Sequence, residues 1–214
     1  GAPWRRGREP GPPEGPRAHP SVGAHLREYL VFAQSQAFLQ SLELFLIVRF
    51  EVDRTQVAGD LIEELGLRKS LFVATKVWIS GKDAGVKQME ESMAKLKSPV
   101  IDLMQVHNLL DVKAHLDTLN AWKHEGRVRY LGVTHYHAGG HDAVMKLMES
   151  ESLDFVQINY SVGERHAGKK LLPMAKDRGT AVIVNRPFAG GEMFARLKDK
   201  PLPDFAKEIG CTSW

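Results

Sequence analysis

The chain has 214 residues, 43% of them hydrophobic and 26% charged, which excludes wholesale disorder and fits one domain with or without a tail. Lys and Arg number 29 against 26 Asp and Glu, so the net charge of +3 demands no basic face, and nucleic acid is not expected as a partner. The single cysteine, Cys211, excludes an intrachain disulfide and fits a reducing, cytoplasmic setting. The longest apolar run, Leu44 to Phe50, is interrupted by Arg49 and is too short to span a bilayer, so no membrane is expected.

Residues 1–20 hold six Pro and four Gly, which predicts a disordered tail over residues 1–23 and one folded domain over 24–214. From Ala24 the spacing of Leu26, Leu30, Ala33, Ala37, Phe38 and Leu42 is helical, while Leu42–Phe50 reads equally as helix or buried strand. Beyond residue 55 the pattern becomes regular. Apolar stretches at Leu71–Thr75, Val100–Val106, Val128–Val133, Phe155–Asn159 and Ala181–Asn185 start 29, 28, 27 and 26 residues apart. Helix-like segments at Gly85–Leu96, Val112–His124, Gly140–Glu149 and Ala167–Asp177 lie between them. Alternation at this spacing predicts successive βα units in a parallel sheet, either doubly wound or part of an eight-fold barrel.

Each strand runs into polar residues: Lys76, then His107 and Asn108, then Thr134 and His135, then Asn159 after Gln157, then Asn185 and Arg186. Parallel strands place such ends on one rim, where barrel enzymes keep their chemistry. A lysine and a histidine on adjacent strand ends can polarise a carbonyl or tune a neighbouring acid. His135, His137 and His141 lack a carboxylate at a clear ligand spacing, so no metal is expected. Gly163–Lys170 comes close to a phosphate loop but ends in Lys rather than the Ser or Thr that would ligate Mg²⁺. The run Pro187, Phe188, Ala189, Gly190, Gly191 is the better anion loop, because its glycines expose backbone N–H groups.

Together these residues resemble the aldo-keto reductases. VAGDLIEELGLRKSLFVATKVW resembles that family's second helix leading to the strand of its active-site lysine, and VIDLMQVHN resembles the strand of its histidine. RVRYLGVTHY, DFVQINYS, LLPMAKDRGTAVIVNRPFAGG and EIGCTSW extend the likeness in order over residues 57–214. The resemblance implies a (β/α)8 TIM-type barrel that binds NADP(H) and reduces small aldehydes or ketones. It assigns catalytic roles to Lys76 and His107. It places Thr134, His135 and Gln157 at the nicotinamide carboxamide, Asn185 where many members stack an aromatic ring, and Pro187, Phe188, Gly190 and Gly191 at the pyrophosphate. The family's Asp and Tyr-Gly motif is not matched: the tyrosine should fall near Phe50 or Glu51, or else Asp53 stands for the aspartate with Ala58-Gly59 in place of Tyr-Gly. By the resemblance, the eighth strand would fall beyond Trp214. The expectation is therefore an incomplete barrel, impaired as a reductase or kept as a non-catalytic nucleotide-binding or regulatory remnant, and self-associating through unpaired strand edges.

Overall fold

The computed structural model describes residues 44–47 and 52–212, with side chains from residue 55 onward. The Pro/Gly-rich segment, residues 24–43, Phe50, Glu51 and the Asp53 side chain lie outside the described residues.

Among the described residues there are six strands: β1 (Leu44–Ile47), β2 (Leu71–Val77), β3 (Ile101–His107), β4 (Val128–Thr134), β5 (Phe155–Asn159) and β6 (Ala181–Asn185). They are all parallel, and each pairs with the next in chain order. Segment 44–47, left open by its sequence, is a strand. The helices are α1 (Val52–Glu64), α2 (Lys82–Lys95), α3 (Val112–His124), α4 (His141–Ser150), α5 (Leu171–Asp177), α6 (Glu192–Leu197) and α7 (Phe205–Glu208). None is long and apolar enough to cross a membrane.

Several boundaries differ from the sequence reading. Strand β2 extends through Lys76 to Val77, because both residues stay in the ladder with Gln105 and Val106. Helix α2 starts at Lys82 rather than Gly85. The segment Ala167–Asp177 is not one helix: a 3-10 turn covers His166–Lys169, and α5 begins at Leu171. Pro173 explains the late start, since proline is tolerated in a first turn, where its missing N–H costs no bond.

Alternation along the strands separates two layers. Val73, Val77, Met104, Val106, Leu131, Val133, Val156 and Ile158 pack with helix residues such as Met89, Leu116, Leu119, Val144 and Leu171. Phe72, Ala74, Leu103, Phe155 and Ile183, with Tyr130 and Ala181, form a second cluster on the opposite face. The rings of Phe72, Tyr130 and Phe155 lie 5.6–6.0 Å apart, centroid to centroid, as an aromatic floor. Helices thus cover one face, and the other curls inward.

The pairing register decides between the two sheet types. From Lys76, the penultimate residue of β2, the paired row runs through Gln105, Gly132 and Phe155 to Ala181, the first residue of β6. Such a net stagger across the five strands is the shear that closes a sheet into a barrel. A doubly wound sheet would reverse its strand order, and this one does not. The strands form a curled part of a (β/α)8 barrel.

Gly59 shows how tightly the helical layer is set. A Cβ there would lie 1.8 Å from the Lys95 carbonyl oxygen, so α1 meets the end of α2 backbone to backbone. Alanine would gain about 1 kcal/mol of helix propensity but lose about 3 to overpacking against unyielding backbone. Gly59→Ala should therefore lower stability by about 2 kcal/mol in a denaturant melt; a stabilised variant would contradict this contact.

Candidate functional site

The inward positions continue above the aromatic floor. On the face that carries Phe72 and Ala74, the next residue is Lys76; above Leu103 come Gln105 and His107; above Tyr130 and Gly132 comes Thr134. Gln157 and Asn159 follow Phe155, and Asn185 follows Ile183. Lys76, His107, Thr134, Gln157, Asn159 and Asn185, named from sequence, therefore share one face at the carboxyl end of the sheet. Asn108, His135 and Arg186 fall in the loops that follow β3, β4 and β6. Lys76 is 7% exposed, Thr134 1% and Gln157 8%, so the group is largely withdrawn from water.

His107 Nδ1 lies 2.8 Å from the Thr134 hydroxyl, and the Trp78 ring stands edge-on to the imidazole at 5.3 Å. When the hydroxyl donates to Nδ1, Nε2 carries the ring proton and is a hydrogen-bond donor. Burial, then the charge of Lys76, then His135 lower the His107 pKa from 6.5 to about 4. At neutral pH the ring is uncharged. The unfolded chain takes up this proton near pH 6.5 and the folded chain near pH 4, so stability from the neutral ring is intact above 6.5 and drains as pH falls toward 4. A proton NMR titration should place the His107 midpoint near 4; a midpoint near 6.5 would show an open, unpaired ring.

The loop after β4 is tied across the sheet. His135 N–H donates to the Gln157 carbonyl at 2.9 Å, and Asn185 Nδ2 donates to the His135 carbonyl at 3.1 Å. Burial and His137 hold the His135 imidazole below its ordinary pKa. Its ring stacks on Tyr136 and meets His137 edge-on at 4.4 Å. His141 turns away to Asn159, with Nε2 2.9 Å from Oδ1. Among the described residues, no group of three or more His, Cys, Asp or Glu is placed to hold a metal.

Several buried polar atoms at this mouth have no partner: both amide ends of Gln105, Gln157 Oε1, Asn159 Nδ2, Asn185 Oδ1 and Asn108 Oδ1. Buried polar groups are rarely left so, and their concentration at one end of the barrel marks a site built for a polar ligand. Gln105 was passed over in sequence as part of an apolar strand, although an amide in a buried strand is the signal that singled out Gln157.

Beyond β6, Arg186, Ala189, Gly190 and Gly191 have φ values of 52°, 53°, 70° and 96°. The turn uses most of its own donors: Ala189 N–H donates to the Arg186 carbonyl at 2.8 Å and Gly191 N–H to the Phe188 carbonyl at 2.9 Å. Pro187 has no N–H, so the expected backbone anion loop offers few N–H groups to a ligand. A Cβ on Gly190 would lie 3.1 Å from an Arg186 guanidinium nitrogen, so the side chain folds over the loop. Pro187 and Phe188 are exposed on it. The Gly163–Lys170 segment does not form a cradle: Ser161 and Glu164 exchange backbone bonds and a 3-10 turn follows.

A family model described as the aldo/keto reductase family matches residues 54–209. The chain belongs to the aldo/keto reductase family. Among its relatives, the methylglyoxal reductase DkgB of Escherichia coli O157:H7 is 25% identical over 168 residues, covering 75% of this chain and 61% of that protein. The aldo-keto reductase YhdN of Bacillus subtilis (strain 168) is 23% identical over 158 residues, covering 68% of this chain and 47% of that one. This aldo/keto reductase chain thus spans about half to three fifths of the length of these relatives. In fold it is similar to the aldo-keto reductase AKR11C1 from Bacillus halodurans in its holo form, with a TM-score of 0.60, 22% identity and coverage of 75% of this chain and 56% of that one. It is similar also to an aldo/keto reductase from Klebsiella pneumoniae in complex with NADP and acetate, with a TM-score of 0.60, 21% identity and coverage of 74% and 56%.

Proposed function

We propose that this chain carries the nicotinamide and carbonyl cleft of an NADPH-dependent reductase acting on small aldehydes or ketones in the cytoplasm. The supporting observation is the gathering of Lys76, His107, Thr134, Gln157 and Asn185 on one inward face, with unpartnered amide oxygens on Gln157 and Asn185. A carboxamide NH₂ has two hydrogens to donate, and those two oxygens would accept them. The turn Arg186–Gly191, which includes Pro187, Phe188, Gly190 and Gly191, would meet the pyrophosphate through the Arg186 guanidinium folded over Gly190 rather than through its backbone, whose Ala189 and Gly191 N–H groups are already bonded. A structural neighbour, the Klebsiella pneumoniae protein, was solved with NADP. When bound, the reduced nicotinamide supplies a hydride to the carbonyl carbon.

The chain's own residues would handle the oxygen. Neutral His107 offers Nε2–H to the carbonyl, oriented by Thr134 at Nδ1. Lys76 sets a positive charge in a nearly dry pocket, where it favours the negative charge growing on oxygen. On the alignment that sets Ala58-Gly59 in place of Tyr-Gly, Asp53 is the acid that would pair with that lysine. The weak point is the proton donor. The described tyrosines lie elsewhere: Tyr130 in the aromatic floor, Tyr136 beside His135 and Tyr160 against Gly168. Losing a positioned acid costs about 10²–10⁴ in rate, so turnover should be slow by that factor. The same gap favours a second reading, a cleft that binds the nucleotide without turnover.

The test is NADPH oxidation followed at about 1 μM to 1 mM aldehyde, the range where enzyme KM values fall, with methylglyoxal in the panel. Slow but saturable turnover supports an impaired reductase. A rate like that of an intact reductase refutes the impairment, and nucleotide binding with no turnover selects the second reading.

A further inference from the structure

The loop between β2 and α2 is fixed in an unusual way. Its backbone is held by side chains from other elements rather than by backbone pairing. Trp78 N–H donates to Gln88 Oε1 of α2 at 2.7 Å. His115 Nε2 of α3 lies 2.8 Å from the Ile79 carbonyl, the distance of an N–H donating to it. Gly81 N–H donates to Asp111 Oδ2 at 2.7 Å. His115 is fully buried and its ring rests on Gly85, where a Cβ would come within 2.3 Å of Cε1. The ring has no room to leave.

The loop after His107 is shaped to make this grip. Asn108, Leu109 and Asp111 all take left-handed backbone, with φ of 52°, 58° and 45°. For residues with a Cβ such conformations cost free energy and persist where surrounding contacts determine them. Asp111 in that conformation reaches from the start of α3 to Gly81. The loops that follow the lysine strand and the histidine strand are thus locked together. On their outer side Trp78 is 51% exposed and Ile79 38%, an apolar surface held still beside the mouth. Trp78 meets His107 edge-on.

We infer that Gln88, Asp111 and His115 are positioning residues that hold the 78–81 loop, and with it Trp78 against His107, as a fixed wall of the carbonyl pocket. The inference rests on the reductase reading for its substrate, and on the loop geometry alone for its clamp. A preorganised wall spares the substrate the cost of ordering it, so its loss should fall on binding of bulky carbonyls more than on the chemical step.

The test uses the full chain carrying Gln88→Ala with Asp111→Ala, both outside the packed core, and Asp111→Asn as the conservative variant. Asparagine still offers an oxygen to Gly81 and tolerates left-handed backbone. In the double variant, amide exchange at Trp78 and Gly81 should speed up about tenfold and the His107 ring-proton shifts should move, as local opening there becomes easier. KM for benzaldehyde should rise about tenfold, far more than KM for propionaldehyde, with kcat moving less, while Asp111→Asn stays near the parent. Unchanged exchange and unchanged His107 shifts would overturn the clamp, and an equal KM rise for both aldehydes would overturn the pocket wall. A parent chain that reduces neither aldehyde counts against the reductase reading, and the exchange and shift data then decide the clamp by themselves.

Discussion

Replacing Asp102 with alanine should cost about 3 kcal/mol of stability and lower the melting temperature by about 10 °C. Asp102 stands on the helix-facing side of β3 and is 2% exposed. Oδ2 accepts the Val73 N–H at 2.7 Å and faces Arg68 at 3.1 Å, while Oδ1 accepts from Arg129 at 2.8 Å. The β2–β3 ladder begins at Ala74 and Leu103, so this carboxylate satisfies the strand N–H just before the ladder starts. Arg68 also donates to the carbonyls of Leu71 and Val100, and one carboxylate thereby ties the entry of β2 to β3 and β4. Truncation leaves a buried N–H without a partner, at about 1–3 kcal/mol, and two cations without their anion. Those cations retain water, with side chains 31% and 50% exposed, which keeps the loss toward the low end for a broken buried pair. Asp102→Asn, which still offers an acceptor, should lose about half as much, and Arg129→Ala less than about 1 kcal/mol. If Asp102→Ala melts within a degree or two of the parent, the tie is ornamental.

Lys76→Met should remove turnover by a further factor of about 10² or more while leaving the barrel folded. Methionine keeps the apolar stem in a pocket where the lysine is 7% exposed, so packing is largely preserved. What disappears is the charge. That charge is also one of the causes holding His107 near pKa 4, so the His107 midpoint should climb toward 6.5 in the variant. The two readouts separate the possibilities. A risen midpoint with unchanged turnover would take Lys76 out of the chemistry but keep it beside His107. An unmoved midpoint would say that the two residues do not face the same space.

The βα architecture was legible because apolar segments recur every 26 to 29 residues, a spacing that a strand, a helix and two short loops fill. Lys76, His107, Thr134, Gln157 and Asn185 were legible for a related reason: a polar residue closing an apolar strand has to be placed at a rim. Barrel against open sheet was not readable from periodicity, since it depends on strand order and on stagger between strands, which the unreversed order and the Lys76-to-Ala181 row reveal. The Thr134 bond to His107 was hidden too, because partners across a ladder depend on register. Asp102 and Gln105 lay inside a stretch read as apolar, one bound for the helix side and one for the barrel interior. The left-handed backbone at Asn108, Leu109, Asp111, Arg186 and Ala189 escaped for another reason: none of these residues is glycine, whereas Gly190 and Gly191 had already marked their loop.

The cleft itself is tested most directly by titrating NADPH into the full chain and into Gln157→Leu, following protein-to-nicotinamide fluorescence transfer. Saturable binding at micromolar nucleotide, weakened about tenfold by loss of the one amide, is the expected result, since a buried partner left unmade costs about 1–3 kcal/mol. Absence of saturable binding, or binding indifferent to Gln157, would mean that the inward ring of polar side chains serves something other than a nicotinamide.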